Sequence, residues 1–463
     1  MTCSIDVKRP LRPLLEDALR RSVAYLDSLE ERRVGPSPAA VEALAALDEP
    51  LPETPSDPAA VLAELDATVT PATMAMAGPR FFGFVIGGSL PVALAANWLA
   101  GAWDQNTGYY ASTPGVSHLE QVALDWLREL LGLPADCAGG FVTGATVANF
   151  TALAAARNAV LGRAGWAVEA DGLFDAPPIE VLVGDECHPT LLKSLGMLGL
   201  GRGRVTRVPV DGQGRMRADA LPAIAGPTIL CLQAGNVNTG AFDPFTEICP
   251  AARAAGAWIH IDGAFGLWAR AVPALAPLTR GIELADSWAT DAHKWLNVPY
   301  DSGIAFVRDG DALRAAMAVT AEYLPAESRH RNPSDYTPEL SRRARGVEIW
   351  AALRALGRQG VRELIGRNCR QARRFAERLG EAGYEILNEV VLNQVIVRFG
   401  DAATTRRVIE AIQSDGTCWA GVTIWQGQTA MRISVCSWAT TDADVERSAD
   451  AMIECAQSVT STA

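Results

Sequence analysis

Five short apolar segments between residues 179 and 309 constrain the fold more than any other feature of this chain. They read IEVLVGDE, PTILCLQAG, AWIHIDGAF, DSWATDA and SGIAFVRD. Each has strand length and is bounded by turn-forming residues, and intervening stretches are long enough to cross over a sheet. Strands so spaced predict an α/β layer with a mostly parallel sheet. Two helical patterns precede them, HLEQVALDWLRELLGL and the small-residue run TVANFTALAAARNAVLG. In open sheets of this kind, ligands sit beyond the carboxyl ends of the strands. The residues following each strand are therefore the candidates for function.

The flanks differ from this middle. Residues 1–78 form an arm with an amphipathic helix over 11–31 and a Pro-rich connector. The arm has no core of its own and should lie over another surface, that of a second subunit included. The α/β unit spans 79–355. Beyond it, 356–463 reads as a smaller α+β unit, with a long helix, strand-like LNQVIVRF and AMRISVCS, and a last helix TDADVERSADAMIECAQ.

With 463 residues, 49% of them hydrophobic and 20% charged, the chain suits a soluble protein with a sizeable core. A net charge of −12 disfavours nucleic acid and anionic membranes. An anionic ligand must then be held by a local site. Nine cysteines without a CxxC pair give neither zinc spacing nor a disulfide framework, so reduced thiols and no metal are expected. The first residues lack the apolar core of a signal peptide. LPVALAANWLAGAW is too short to span a bilayer and carries Asn97. A cytoplasmic location is the expectation.

Four strand-end features stand out. GGFVTGATVANF is a glycine-rich turn entering a helix, where free N–H groups and the helix dipole favour an anion at Gly144, Ala145 and Thr146. His188 follows IEVLV, Asp262 ends WIHID, and Lys294 follows DSWATDA in TDAHKWLNVPYDSG. Nothing obvious beside Lys294 calls for a cation, and a poorly hydrated amine is a potential nucleophile. Taken singly, these are an ordinary helix start, a helix cap, a turn cap and a snorkelling lysine. Taken together they suit one ligand, a planar phosphorylated pyridine carrying an aldehyde. The turn would take its phosphate, Asp262 would pair with the ring nitrogen, His188 would pack on the ring and Lys294 would form the Schiff base.

TDAHKWLNVPYDSG, HIDGAFGLWA, GDECHPTLLKS and FVTGATVANFTALAAARN resemble the pyridoxal-phosphate-dependent group II amino acid decarboxylases. The resemblance runs through nearly the whole chain after residue 78. It implies the aspartate aminotransferase fold (fold type I), pyridoxal 5'-phosphate as cofactor, and a homodimer with its site at the interface. It also implies that Ala264 packs on the second ring face and that Ala145, Thr146, Asp291 and His293 line the phosphate end. Gln233 stands where many relatives have threonine, Pro189 where serine is common, and Asp291 where several have asparagine. An acid near a phosphate is acceptable only if it faces a donor.

The resemblance further implies a mobile loop, AVTAEYLPAESRHRNPSDYTPELSRRARG, which acts in the neighbouring subunit and carries a tyrosine acid. Tyr323 holds the matching position and Tyr336 is the second candidate, while Arg329 and Arg331 read as solvated. Arg432 is either a substrate-carboxylate ligand or half of a structural ion pair. Phe82, Phe84, Trp103 and Tyr110 are expected near the entrance and give a slight preference for an aromatic substrate. The leading expectation is decarboxylation of an L-amino acid. The alternatives are an aldehyde synthase, a carbon–carbon lyase, and a non-catalytic α/β binding protein.

Overall fold

The computed structural model describes residues 11–319 and 330–461. Seven strands form the large sheet: β1 (Ala138–Val142), β2 (Glu180–Gly184), β3 (Thr206–Val208), β4 (Thr228–Gln233), β5 (Trp258–Asp262), β6 (Ser287–Asp291) and β7 (Gly303–Val307). Their order is β1-β7-β6-β5-β4-β2-β3. β2 to β6 pair in parallel, and β7 runs antiparallel to both β1 and β6. The expected mostly parallel sheet is present. β1 and β3 were not evident in the sequence, because the glycines of AGGFV dilute one strand and three residues carry no period in the other.

The strands from β5 to β7 are buried along their whole length, which explains their unbroken apolar reading. The helix Ala145–Arg163 lies across β5, β6 and β7 with eleven buried residues. Its first turn therefore opens at the carboxyl ends of β5 and β6. The fully buried Trp268, Trp288 and Trp295 fill the core on the other side.

A second sheet, β8 (Glu385–Ile386), β9 (Gln394–Arg398), β10 (Gly421–Trp425) and β11 (Gln428–Ser434), is antiparallel in the order β10-β11-β9-β8. Helices Ala402–Asp415 and Asp442–Ser461 cover it around Phe375, Val397, Ile409 and Met452. The helix Gly346–Glu381 connects the units and turns at Gly357, whose φ of 57° suits glycine. Phe82 does not line the entrance, contrary to expectation. Its backbone bonds Trp419 and Ser434, and its ring packs edge-on against Phe375 at 5.0 Å inside the smaller core.

The arm helix Leu11–Ser28 has no buried residue, and Leu11, Leu15, Leu19, Val23 and Leu26 are exposed. It is tied to the rest of the arm by Arg21, which bonds Asp17 at 2.9 Å and Asp66 at 2.8 Å. A groove of about 1050 Å³ runs between arm and body, lined by Tyr25, Leu65, Trp98 and Trp438 among others. Among the described residues, no helix is long and apolar enough to cross a membrane.

Part of the loop expected to be mobile is anchored. Arg331 is half-buried and paired rather than solvated: it bonds Glu120 at 3.1 Å and the Gly139 carbonyl, and covers the Tyr336 ring at 4.3 Å. Arg342 bonds the same Glu120 at 2.8 Å and the Phe141 carbonyl at 2.6 Å. One buried carboxylate thus holds two guanidiniums against β1, and Tyr336 is packed there. Tyr323 and Arg329 lie outside the described residues.

Candidate active site

Lys294 sits in the single helical turn Ala292–Trp295 that follows β6. Its Nζ lies 3.2 Å from Asp291 Oδ2, so the amine does have an anionic neighbour, one that the sequence reading had assigned to the phosphate end. The chain here is clamped from outside. A Cβ at Gly87 would stand 1.8 Å from the Lys294 carbonyl oxygen, so only glycine lets that segment approach. Just before it, Phe84 and Val85 both have positive φ, 54° and 60°. That conformation is costly for a β-branched residue and concentrates at sites where surrounding structure enforces it.

The other oxygen of Asp291 accepts from the Ala145 N–H at 2.6 Å, the first amide of the helix Ala145–Arg163. The acid therefore faces a donor, as its position required. Thr146 and Val147 follow in the same first turn, where a helix provides no carbonyl for its own amides. The turn is tight: a Cβ at Gly303 would lie 2.5 Å from the Gly144 backbone. His293 flanks it, accepting from the Ser302 N–H at Nδ1 (3.0 Å), with Nε2 3.5 Å from Asp291 Oδ1. Because a backbone amide can only donate, neutral His293 carries its proton on Nε2. Burial holds its pKa below the ordinary histidine value.

Asp262 is buried at the end of β5. Oδ1 accepts from the Ala264 N–H at 3.3 Å and Oδ2 from Asn149 Nδ2 at 3.2 Å. Ala264 is held in turn by its carbonyl, which takes the Asp291 N–H at 2.9 Å. His188 caps the helix Pro189–Met197, its Nδ1 accepting from Thr190 N at 3.3 Å and pairing with Thr190 Oγ1 at 2.7 Å. Pro189 occupies the first helical position, where its missing N–H costs nothing. Burial lowers the His188 pKa, the Asp262 charge opposes that shift, and Lys294 and Arg432 reinforce it. These four side chains thus share one electrostatic environment. Gln233 ends β4 beside His188 and Asp262, with its Oε1 accepting from Asn236 at 3.3 Å.

Arg432 reaches the same environment from β11. Its Nη1 bonds the Val237 carbonyl at 3.2 Å, and no carboxylate pairs with it among the described residues. Burial pushes its pKa down to about 10. The ion-pair alternative for this residue therefore has no partner among them. Of the other aromatics expected near the entrance, Phe84 is 64% exposed and stacks on Trp419 at 5.5 Å, Trp103 is 47% exposed, and Tyr110 stacks on His330 at 4.0 Å.

Sequence reasoning missed Asn149 and His260. Asn149 lies four residues, about one helical turn, past Ala145, and His260 shares a strand face with Asp262. Helical and strand periodicity could have found both.

The donor set fits pyridoxal phosphate. A buried acid is available to a ring nitrogen, a primary amine to an aldehyde, and first-turn amides to a phosphate, with a neutral imidazole alongside.

Known proteins agree. The sequence profile described as "Pyridoxal-dependent decarboxylase conserved domain" matches residues 41–399. The chain is 28% identical over 366 residues to an aromatic-L-amino-acid decarboxylase of Bacillus atrophaeus, covering 76% of this chain and 74% of that one. It is 30% identical over 433 residues to an L-2,4-diaminobutyrate decarboxylase of Rhizobium meliloti (strain 1021), covering 88% and 84%. The crystal structure of Oryza sativa TDC with PLP and tryptamine superposes with a TM-score of 0.89 at 22% identity, over 97% of this chain and 99% of that one. The fold is that of the fold-type-I enzymes, and the chain belongs to the pyridoxal-phosphate-dependent (group II) decarboxylases as a carboxy-lyase that uses this cofactor.

Proposed function

We propose that this protein removes the α-carboxylate of an L-amino acid as carbon dioxide and releases the amine. The observation that carries the reading is the half-buried guanidinium of Arg432, without a carboxylate partner among the described residues, in the same electrostatic environment as Lys294, His188 and Asp262. A partly desolvated cation without a counter-ion is costly, and a substrate carboxylate would offset that cost. Bound pyridoxal phosphate supplies an electron sink for the pair left at the α-carbon.

The chain's own residues do the rest. Lys294 provides the amine for covalent attachment, and Asp262 keeps a proton on the ring nitrogen. His188 and Ala264 flank the ring, while Gly144, Ala145, Thr146, Asp291 and His293 frame the phosphate end. Gln233 borders the ring pocket. Arg432 orients the carboxylate, which selects the bond that breaks. Tyr323 delivers the proton to the α-carbon. Phe84, Trp103 and Tyr110 form an aromatic rim and favour an aromatic side chain.

We further infer a cytoplasmic homodimer with the site at the interface. The exposed leucine stripe of the arm supports the dimer, and free buried thiols support a reducing compartment. The test is a panel of amino acids assayed for carbon dioxide and amine. Equal yields of the two without ammonia or hydrogen peroxide are expected. Aldehyde and peroxide in place of amine would overturn the reading.

A further inference from the structure

Behind Asp262 a line of hydrogen bonds runs through the core, away from the cleft. Asp262 Oδ2 accepts from Asn149 Nδ2 at 3.2 Å, and Asn149 Oδ1 meets His260 Nε2 at 2.8 Å. His260 Nδ1 meets Ser287 Oγ at 2.9 Å, and Ser287 Oγ accepts from Trp258 Nε1 at 2.9 Å. All five residues are buried, with Asn149, His260 and Ser287 fully so. The line joins β5, β6 and the helix that begins at the anion turn.

Its two ends fix its direction. An indole N–H only donates, so Ser287 Oγ accepts there and its own proton is free to turn toward His260 Nδ1. That nitrogen is then bare, and the imidazole proton sits on Nε2, where it donates to the Asn149 carbonyl oxygen. The amide must then present its N–H to Asp262. From the other end, a carboxylate only accepts, which demands the same amide orientation. Burial pushes the His260 pKa down to about 4, so the ring stays neutral and keeps this single tautomer near neutrality.

We propose that Trp258, Ser287, His260 and Asn149 act as a one-way positioning relay that locks the Asp262 carboxylate in the orientation and charge state that a pyridinium needs. The proposal rests on the cofactor role assigned to Asp262 above. The four are positioning residues, since they act through Asp262. Its two described donors, Asn149 Nδ2 and Ala264 N, prevent the carboxylate from rotating about its Cβ–Cγ bond. A protonated or rotated Asp262 would no longer hold a proton on the ring nitrogen.

The test uses the full chain, labelled with ¹⁵N at its five histidines, with cofactor and after its removal. At pH 7, His260 is expected to show a protonated Nε2 and a bare Nδ1 in both forms. Asn149→Leu, which removes the acceptor facing Nε2 and unlinks the ring from Asp262, should mix the tautomers. The same variant should weaken pyridoxal phosphate binding and lower kcat by roughly 10–100-fold, the scale for removing partners of a functional ligand, with KM little changed. If Asn149→Leu does not fold, the wild-type spectrum still decides. A proton on His260 Nδ1 in the wild type, an unmixed tautomer in a folded Asn149→Leu, or unchanged kcat and cofactor affinity in that variant would each overturn the relay. The spectrum of the cofactor-free chain distinguishes this failure from a failure of the functional reading, because it needs no turnover.

Discussion

The floor of the site and its mouth are built to different standards. On the floor, Asp262, Asn149, His260 and Ser287 are at most 5% exposed, and each has a hydrogen-bond partner. At the expected mouth, Phe84 and Trp103 are large apolar groups left in water, and the arm helix likewise leaves its leucines exposed. A buried polar group without a partner costs about 1–3 kcal/mol, so the floor tolerates no gaps. Exposed apolar area of this extent marks a surface that meets something else. The floor is therefore complete within one chain, whereas these exposed aromatics and leucines leave apolar surface uncovered. The comparison explains why the cofactor is legible here and the substrate is not.

Changes at the two regions should separate accordingly. Short of removing the Lys294 anchor, the largest effect is expected from Tyr323→Phe, which keeps the ring and removes the proton donor. Loss of a positioned general acid costs roughly 10²–10⁴ in rate, so amine yield should collapse while cofactor affinity holds. In air, the uncollected carbanion should divert to aldehyde, ammonia and peroxide, measured per carbon dioxide released. Wild-type amine yield would remove Tyr323 from the mechanism.

On the floor, Asp262→Asn should lower kcat by roughly 10²–10³, the cost of losing one preorganised electrostatic partner. Titration of the cofactor-free variant should also show weaker pyridoxal phosphate binding; unchanged binding and rate would demote Asp262 to a turn cap. Arg432→Gln should raise KM by roughly 10–100-fold, the value of a charge-assisted hydrogen bond, and leave cofactor affinity alone. An unchanged KM would assign Arg432 to structure. The mildest direct effect on the chemistry belongs to removal of residues 1–70. Sedimentation should show two chains becoming one, with activity recovering at high concentration. A fully active monomer would show that the mouth needs no second subunit.

What the sequence revealed divides along the same line. Lys294, Asp262 and His188 were readable because strand ends in an α/β sheet converge, and each residue lies at or within a few residues of the end of an apolar run. The Lys294–Asp291 pair was not read, because Asp291 had been assigned to the phosphate end and its second oxygen turns back to the lysine. Phe82 was misplaced because an aromatic pair reads alike in a core and in a pocket. Only the backbone pairing of Phe82 with Trp419 and Ser434 draws it into the smaller unit. Arg331 was misjudged because its partner, Glu120, lies 211 residues away, beyond any local pattern. His260 hid in an apolar strand, where a neutral histidine resembles any core residue.

The central claim is that Lys294 anchors the cofactor, and the composition makes it unusually testable. The chain has three lysines, Lys8, Lys193 and Lys294, and Lys193 is exposed on the helix Pro189–Met197. Borohydride reduction of the pyridoxal-phosphate-loaded protein, followed by peptide mass mapping, should place one phosphopyridoxyl group per chain on Lys294. The visible band should vanish on reduction, and a folded Lys294→Ala variant should show neither label nor turnover. Label on Lys193 or Lys8 instead, or near-wild-type turnover by Lys294→Ala, would contradict the account.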